Sequence, residues 1–323
     1  MCIRDRYLAD AIGAVGKPVL RVHTAGSVGG STGVIAATHV CSGQFKTVLT
    51  VTFEKQSESN ATWALSPRYP YSPHINAGAG GYFAPFIREY IRRYDAPEHI
   101  GWKVAVKDRL NALKNPLAHL HIPGIDEKMV SDTPMLWEPL RYLESCPSSD
   151  GACAMVITSK DLVGSRDVAW IKGMAVRSEG TLSAGRDEVN PQAGIDCAKD
   201  IYDQAGITNP YKEIDCAEIY VPFSWYEPMW LENLGFCDLG EGWKLTDKDA
   251  TAIDGEMPFN MSGGVMSSNP IGASGMIRFG EAALQVMGKA NDHQVEDAKV
   301  AMGHAYGGAA QFFAMWIVSS SLD

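Results

Sequence analysis

Four short stretches of the chain hold residue types that could do chemistry. His23-Thr24-Ala25-Gly26-Ser27-Val28-Gly29-Gly30-Ser31-Thr32 follows a β-rich run and precedes a helical pattern of small residues. A strand, a tight turn and a helix N-terminus in that order expose backbone N–H groups with space above them, an arrangement that can hold a nucleophile or an anion. A glycine-rich packing turn is the equally simple reading. Asn260 to Gly275 carries Ser262-Gly263-Gly264 and then Asn269-Pro270-Ile271-Gly272-Ala273-Ser274-Gly275. Its glycines allow close backbone approach, and Asn269-Pro270 fixes a turn just before a helix. Gly303 to Ala310 places Gly307-Gly308 between two apolar runs, which marks a turn that something else approaches, with His304 and Tyr306 beside it. Glu218 to Ser224 ends a strand in a polar loop and would turn Tyr220 toward the same cleft. For either tyrosine, a packed ring with one satisfied hydroxyl is the simpler reading. His119-Leu120-His121 could chelate a metal from a strand but has no third ligand nearby, so a solvated loop is the better reading and no metal site is assigned. There is no P-loop, no GxGxxG between strand and helix, no GxSxG elbow and no HExxH.

Those stretches need elements to position them. Pro18 to His23 is β-rich, and Gly33 to Cys41 reads as a helix of small residues packed deep in the protein. Thr47 to Phe53 and Ala152 to Thr158 read as buried strands. The intervening segment, about 54–146, is rich in Pro, Tyr, Asn and Arg and reads as an insertion with helices over Ala84 to Tyr94 and Trp102 to Asn115. In the second part, Ala169 to Val176 and Glu213 to Tyr220 are strand-like. Pro191 to Ala205 is a helix with Asn190 as N-cap. Trp225 to Leu234 and Met276 to Met287 are helical, and Val300 to Tyr306 with Gln311 to Val318 form a closing hairpin. Each half therefore holds a Gly/Ser-rich loop feeding a buried helix. This suggests a duplicated α/β unit, with halves at 1–165 and 166–323.

Composition narrows the function class. The chain has 323 residues, of which 46% are hydrophobic and 20% charged, as in a globular protein with a sizeable core. A net charge of −10 argues against a general nucleic-acid binder but leaves an anionic small ligand open. Seven cysteines lie without CxxC spacing, and no leader is evident. A cytoplasmic protein with reduced thiols is expected. No run is long and apolar enough for a bilayer span, so no membrane partner is expected.

Taken together, the motifs resemble the thiolase superfamily, most nearly the branch of sterol-carrier-protein thiolases and lipid-transfer thiolase-like proteins (acetyl-CoA acetyltransferase-like). The resemblance runs from about Tyr7 onward. It is carried by Arg21 to Gly30, Phe53-Glu54-Lys55, Cys146 to Ala152, Leu234 to Cys237 with Gly240-Glu241-Gly242, Ser262 to Gly264, Asn269 to Gly275 and Tyr306 to Gly308. It implies two duplicated βαβαβαββ-type halves in an α-β-α-β-α layered core, here with the start of the first half missing. The resemblance also implies acyl-CoA as substrate, so coenzyme A enters as part of the substrate with no covalently bound cofactor. A homodimer is implied, with a small OB-fold zinc-ribbon protein as a further partner.

The departures from the family pattern carry the functional expectation. Family members acylate a cysteine where this chain has Gly26, or Ser27 after a one-residue shift. The second family cysteine falls on Ala305, the His of a His-Pro pair on Asn269, and an Asn or His on Tyr220. Without an acyl carrier the resemblance points to retro-aldol cleavage of a β-hydroxyacyl-CoA, as in steroid side-chain aldolases that employ tyrosines. The implied catalytic set is Tyr306, Tyr220, Asn269 and His304, with Tyr306 as base or acid and His304 bridging it to lower its pKa. The implied substrate-binding set is His23, Gly26, Ser27, Gly264, Gly272, Ala273, Ser274, Gly307 and Gly308. The alternatives are a C-acyltransferase using Ser27 or a displaced cysteine, and an inactive acyl-CoA- or lipid-binding subunit.

Overall fold

The computed structural model describes residues 8–58, 78–180 and 185–322. Small residues set its centre. Helix α1 (Val28–Cys41) contains Gly29, Gly30 and Gly33, and strand β1 (Thr47–Lys55) follows it. Helices α2 (Gly78–Tyr94), α3 (His99–Ala112) and α4 (Glu127–Ser131), then the short strands β2 (Met135–Trp137) and β3 (Leu140–Arg141), fill the segment read as an insertion. Next come β4 (Asp150–Thr158), β5 (Trp170–Ser178), α5 (Gln192–Ala205), α6 (Pro210–Glu213), β6 (Cys216–Glu218), α7 (Tyr226–Asn233) and α8 (Gly242–Asp247). The chain closes with α9 (Gly264–Ser267), α10 (Ile271–Val286), β7 (Val300–Gly307) and β8 (Phe312–Ser319).

β1 and β4 form an antiparallel ribbon, with Leu49 opposite Val156 and Phe53 opposite Ala152. The larger sheet runs β5-β8-β7-β6, antiparallel except for the parallel β6/β7 pair. Helices α1 and α10 lie between ribbon and sheet, and α5 covers the far face on β5 and β8. The described layers are therefore ribbon, helix pair, sheet and helix, which is a thiolase-type stack. The central pair crosses so tightly that a Cβ on Gly29 would lie 2.5 Å from the Met276 amide nitrogen. Two glycine-rich helices can cross that closely; two ordinary ones cannot.

Several sequence expectations need correcting. Thr47 to Phe53 and Ala152 to Thr158 are not buried strands: Thr47, Leu49 and Phe53 face outward, as do Ala152, Ala154 and Val156. The Glu213 to Tyr220 run keeps only Cys216–Glu218 as strand, because α6 takes its start. Helix α10 begins at Ile271, directly after Asn269-Pro270, so the polar loop and the helix are continuous. Asn190 does not cap α5. Pro191 occupies that position, and Asn190 Oδ1 accepts from Asn233 Nδ2 at 2.7 Å.

Candidate functional site

A cleft of about 1320 Å³ opens where the end of β7, the turns before α1 and α10 and the loop after β6 meet. Gly307 shows how close that meeting is. A Cβ there would fall 2.3 Å from the Ser27 amide nitrogen and 2.4 Å from that of Gly26, so the two loops touch backbone to backbone. Gly26, Gly272, Gly307 and Gly308 all line the cleft, as does the exposed His23. A side chain at Gly26 would start 3.2 Å from the Tyr306 carbonyl. Ala25 beside it takes φ +50°, a left-handed conformation that costs a non-glycine residue about 1 kcal/mol.

Tyr306 ends β7 and is 3% exposed. Its ring is boxed by Tyr220, Trp230 and Tyr226, with centroids 5.3, 5.1 and 5.8 Å away. Among the described residues no side chain hydrogen-bonds its hydroxyl, although the residue is part of the cleft wall. Burial pushes its pKa well above 10, so the hydroxyl stays protonated at neutral pH. Tyr220 is different. Its hydroxyl donates to Asn269 Oδ1 at 3.1 Å, its amide to His304 Nδ1 at 3.2 Å, and burial again raises its pKa.

Asn269 is the hub. Oδ1 accepts from Tyr220 and from Ser274 Oγ at 2.8 Å, while Nδ2 donates to Cys146 Sγ at 3.1 Å. Its backbone is held by Ser149 Oγ at 3.0 Å and by Gln56 Nε2 at 2.7 Å. With both acceptor lone pairs used, the carboxamide is fixed with its N–H₂ toward the cleft, as an oxyanion donor must be.

Five of the expected site residues do not line the cleft. His304 does not reach the cleft: its ring stacks over Tyr306 at 6.3 Å, Nδ1 is taken by Tyr220, and Nε2 has no partner among the described residues. Burial lowers its pKa to about 3, so it is a neutral core histidine that shapes β7 and the Tyr220 loop. Ser27 is fully buried, its hydroxyl donates to the Thr24 carbonyl at 2.7 Å, and its N–H is likewise held by Thr24. Its hydroxyl and its N–H are therefore both engaged within the turn. Gly264 stands apart from the cleft at the start of α9, after a turn braced by the buried Glu218, which accepts from Ser262 and pairs with Arg278. Ala273 and Ser274 are buried behind the wall, and Ser274 acts through Asn269.

The cleft also gathers residues outside the expected catalytic and substrate-binding sets. Cys146 lines it, half-buried, with its thiol pushed up to about 11 by burial. The signal was available, because Cys146-Pro147 precedes β4 at the same end of the stack as the glycine loops. His119 lines it too, its Nδ1 2.8 Å from Ser149 Oγ, while His121 turns to the Asn115 carbonyl. The two histidines therefore do not converge, and among the described residues no group of three His, Cys, Asp or Glu could hold a metal. Arg109 is the third addition; beside Asp108 and Lys107 it resembles ordinary helix surface charge, and nothing in the sequence marks it.

The fold is the thiolase fold. Residues 175–320 match the family described as Thiolase C-terminal domain-like. The acetyl-CoA acetyltransferase of Methanothermobacter thermautotrophicus is 29% identical, over 97% of this chain and 82% of its own length. Human sterol carrier protein 2 is 28% identical over 94% of this chain but only 59% of its own length. Among solved structures, the Ltp2-ChsH2(DUF35) aldolase superposes with a TM-score of 0.79 at 26% identity, covering 92% of this chain and 79% of that one. These likenesses lie with the sterol-carrier-protein-thiolase-like branch of the superfamily, to which the chain is similar.

Proposed function

We propose that the protein cleaves a carbon–carbon bond in a β-hydroxyacyl-CoA by a retro-aldol route, without an acyl-enzyme. The observation that carries this reading is the open Tyr306 hydroxyl beside the Tyr220–Asn269–Ser274 cluster, at a turn where Gly26 offers no nucleophile. The aldolase named among its structural neighbours supports it.

The reaction needs a donor for the thioester oxygen and a path for one proton. Asn269 Nδ2 supplies the donor, since the carbonyl becomes an enolate oxyanion as Cα–Cβ breaks. Tyr306 supplies the path. A phenol whose pKa lies above its ordinary value does not act as a free base at neutral pH, but it can relay. Its oxygen takes the proton of the substrate β-hydroxyl as its own proton passes to Cα. A β-hydroxyacyl-CoA then gives a ketone or aldehyde and a shortened acyl-CoA, with no proton gained or lost overall.

Incubation with a bulky β-hydroxyacyl-CoA, followed by mass spectrometry, is expected to show both products. Thiol-dependent cleavage of acetoacetyl-CoA would instead establish an acyltransferase. Among the described residues Cys146 is the cysteine on the cleft wall, and a trapped acyl adduct on it would identify it as the carrier. Tight acyl-CoA binding without turnover would identify a binding subunit. That aldolase is named for ChsH2(DUF35) as well as Ltp2, so the assay is run with and without a small OB-fold zinc-ribbon protein.

A further inference from the structure

Arg109 is 1% exposed and lines the cleft, yet no carboxylate lies within ion-pair distance of it among the described residues. Its Nη1 and Nη2 donate to the Ala105 and Ser145 carbonyls at 3.4 and 3.1 Å, and its Nε has no partner among the described residues. The acids whose fields reach it are engaged elsewhere. Asp108 lies 3.2 Å from Lys107 and accepts from Asn260. Glu144 accepts from the Arg141 amide and from Ser224. Burial raises both carboxyls to about 7, which weakens them further as counter-ions. Tyr142 and Cys146, the remaining groups near it, carry no carboxylate.

A buried guanidinium without a counter-ion is costly, and proteins keep one where a ligand will supply the missing charge. Phe223 pairs with Ser145, whose carbonyl Arg109 holds, and packs on Phe83 at 5.7 Å, so the cleft wall beside Arg109 is apolar and suits an acyl chain better than the hydrated diphosphate of coenzyme A. The wall also adjoins the reaction centre, since Ser145 leads to Cys146, which Asn269 holds.

We infer that Arg109 forms a carboxylate subsite in the acyl part of the cleft, so that the preferred substrate is a CoA thioester whose acyl chain carries a second, free carboxylate. The planar guanidinium fits a carboxylate through paired N–H donors, and a deeply buried pair of this kind discriminates strongly against a neutral chain end. This inference rests on the acyl-CoA reading above.

The test is equilibrium binding to the full chain, which needs no turnover. Succinyl-, glutaryl- and adipoyl-CoA are compared with butyryl-, valeryl- and hexanoyl-CoA, their neutral counterparts. The wild type is expected to favour the carboxylate member at least tenfold at one chain length or more. Arg109→Met removes that preference and leaves the neutral thioesters bound as before. Arg109→Lys, the second variant should the first not fold, keeps a reduced preference, because a point charge replaces the fork. Equal binding of both series by the wild type, or a preference that survives Arg109→Met, overturns the inference alone. If neither series binds, the acyl-CoA reading itself falls and the inference with it.

Discussion

At the scale of single residues, the two tyrosines differ in what their hydroxyls already hold. Tyr220 is committed to Asn269, while the Tyr306 hydroxyl is available to a ligand. Tyr306→Phe is therefore expected to lower kcat by about 10²- to 10⁴-fold, the usual worth of a positioned proton donor, with acyl-CoA affinity unchanged. Tyr220→Phe frees Asn269 Oδ1 and should cost about tenfold, because Ser274 still holds that oxygen. Steady-state kinetics beside equilibrium binding separates the two effects, and equal losses would reject the assignment. Tyr306, Tyr220 and Asn269 were all legible in the sequence as members of unusual loops. Which way each side chain turned was not, since a histidine two residues from Tyr306 lies on the same face of β7 yet is spent on a backbone amide.

His304 gives a pH prediction at the same scale. Its folded pKa, about 3, lies below the ordinary 6.5, so protons bind the unfolded chain more readily. Stability from keeping it neutral is full above pH 6.5 and is lost as pH falls from 6.5 toward 3, with a slope of up to about 1.4 kcal/mol per pH unit. Replacing it by Gln, which cannot titrate, should flatten the denaturation-midpoint profile across that window. An unchanged slope would show that other groups dominate acid unfolding.

Between elements, the contact that matters most is the crossing of α1 and α10, because it brings Gly26 and Asn269 to one cleft. Gly29→Ala puts a methyl group 2.5 Å from a backbone nitrogen that cannot rotate away. The expected cost is about 1–3 kcal/mol, as for other overpacked cores. For a chain of this length that is a fall in Tm of roughly 2–10 °C, with catalytic loss from displaced loops. A wild-type melting curve for Gly29→Ala would mean that the helices can slide apart freely. The sequence made these helices legible through their run of small residues, which only a close crossing explains. It misread β1 and β4, because an apolar strand looks the same whether its outer face meets its own core or another molecule.

That ambiguity leads to the whole molecule. The outer face of the ribbon carries Thr47, Leu49, Val51 and Phe53 opposite Thr158, Val156, Ala154 and Ala152, uncharged until Lys55 meets Asp150 at its end. Val156 is 65% exposed and Leu49 48%. A two-stranded ribbon is marginal on its own, and an uncharged outer face is the kind that proteins normally cover. The helices α1 and α10 already occupy its inner face. We propose that a second copy of the chain covers the outer one, giving a symmetric dimer in which Leu49 and Val156 meet their counterparts. Sedimentation at micromolar concentration is then expected to show a particle of two chains. Val156→Lys, which sets like charges against each other across a twofold axis, should shift it to one chain. Because β1 also contributes Thr52 and Phe53 to the cleft, activity should fall with dimer dissociation. A wild type that sediments as a single chain at these concentrations would leave the face for a different partner.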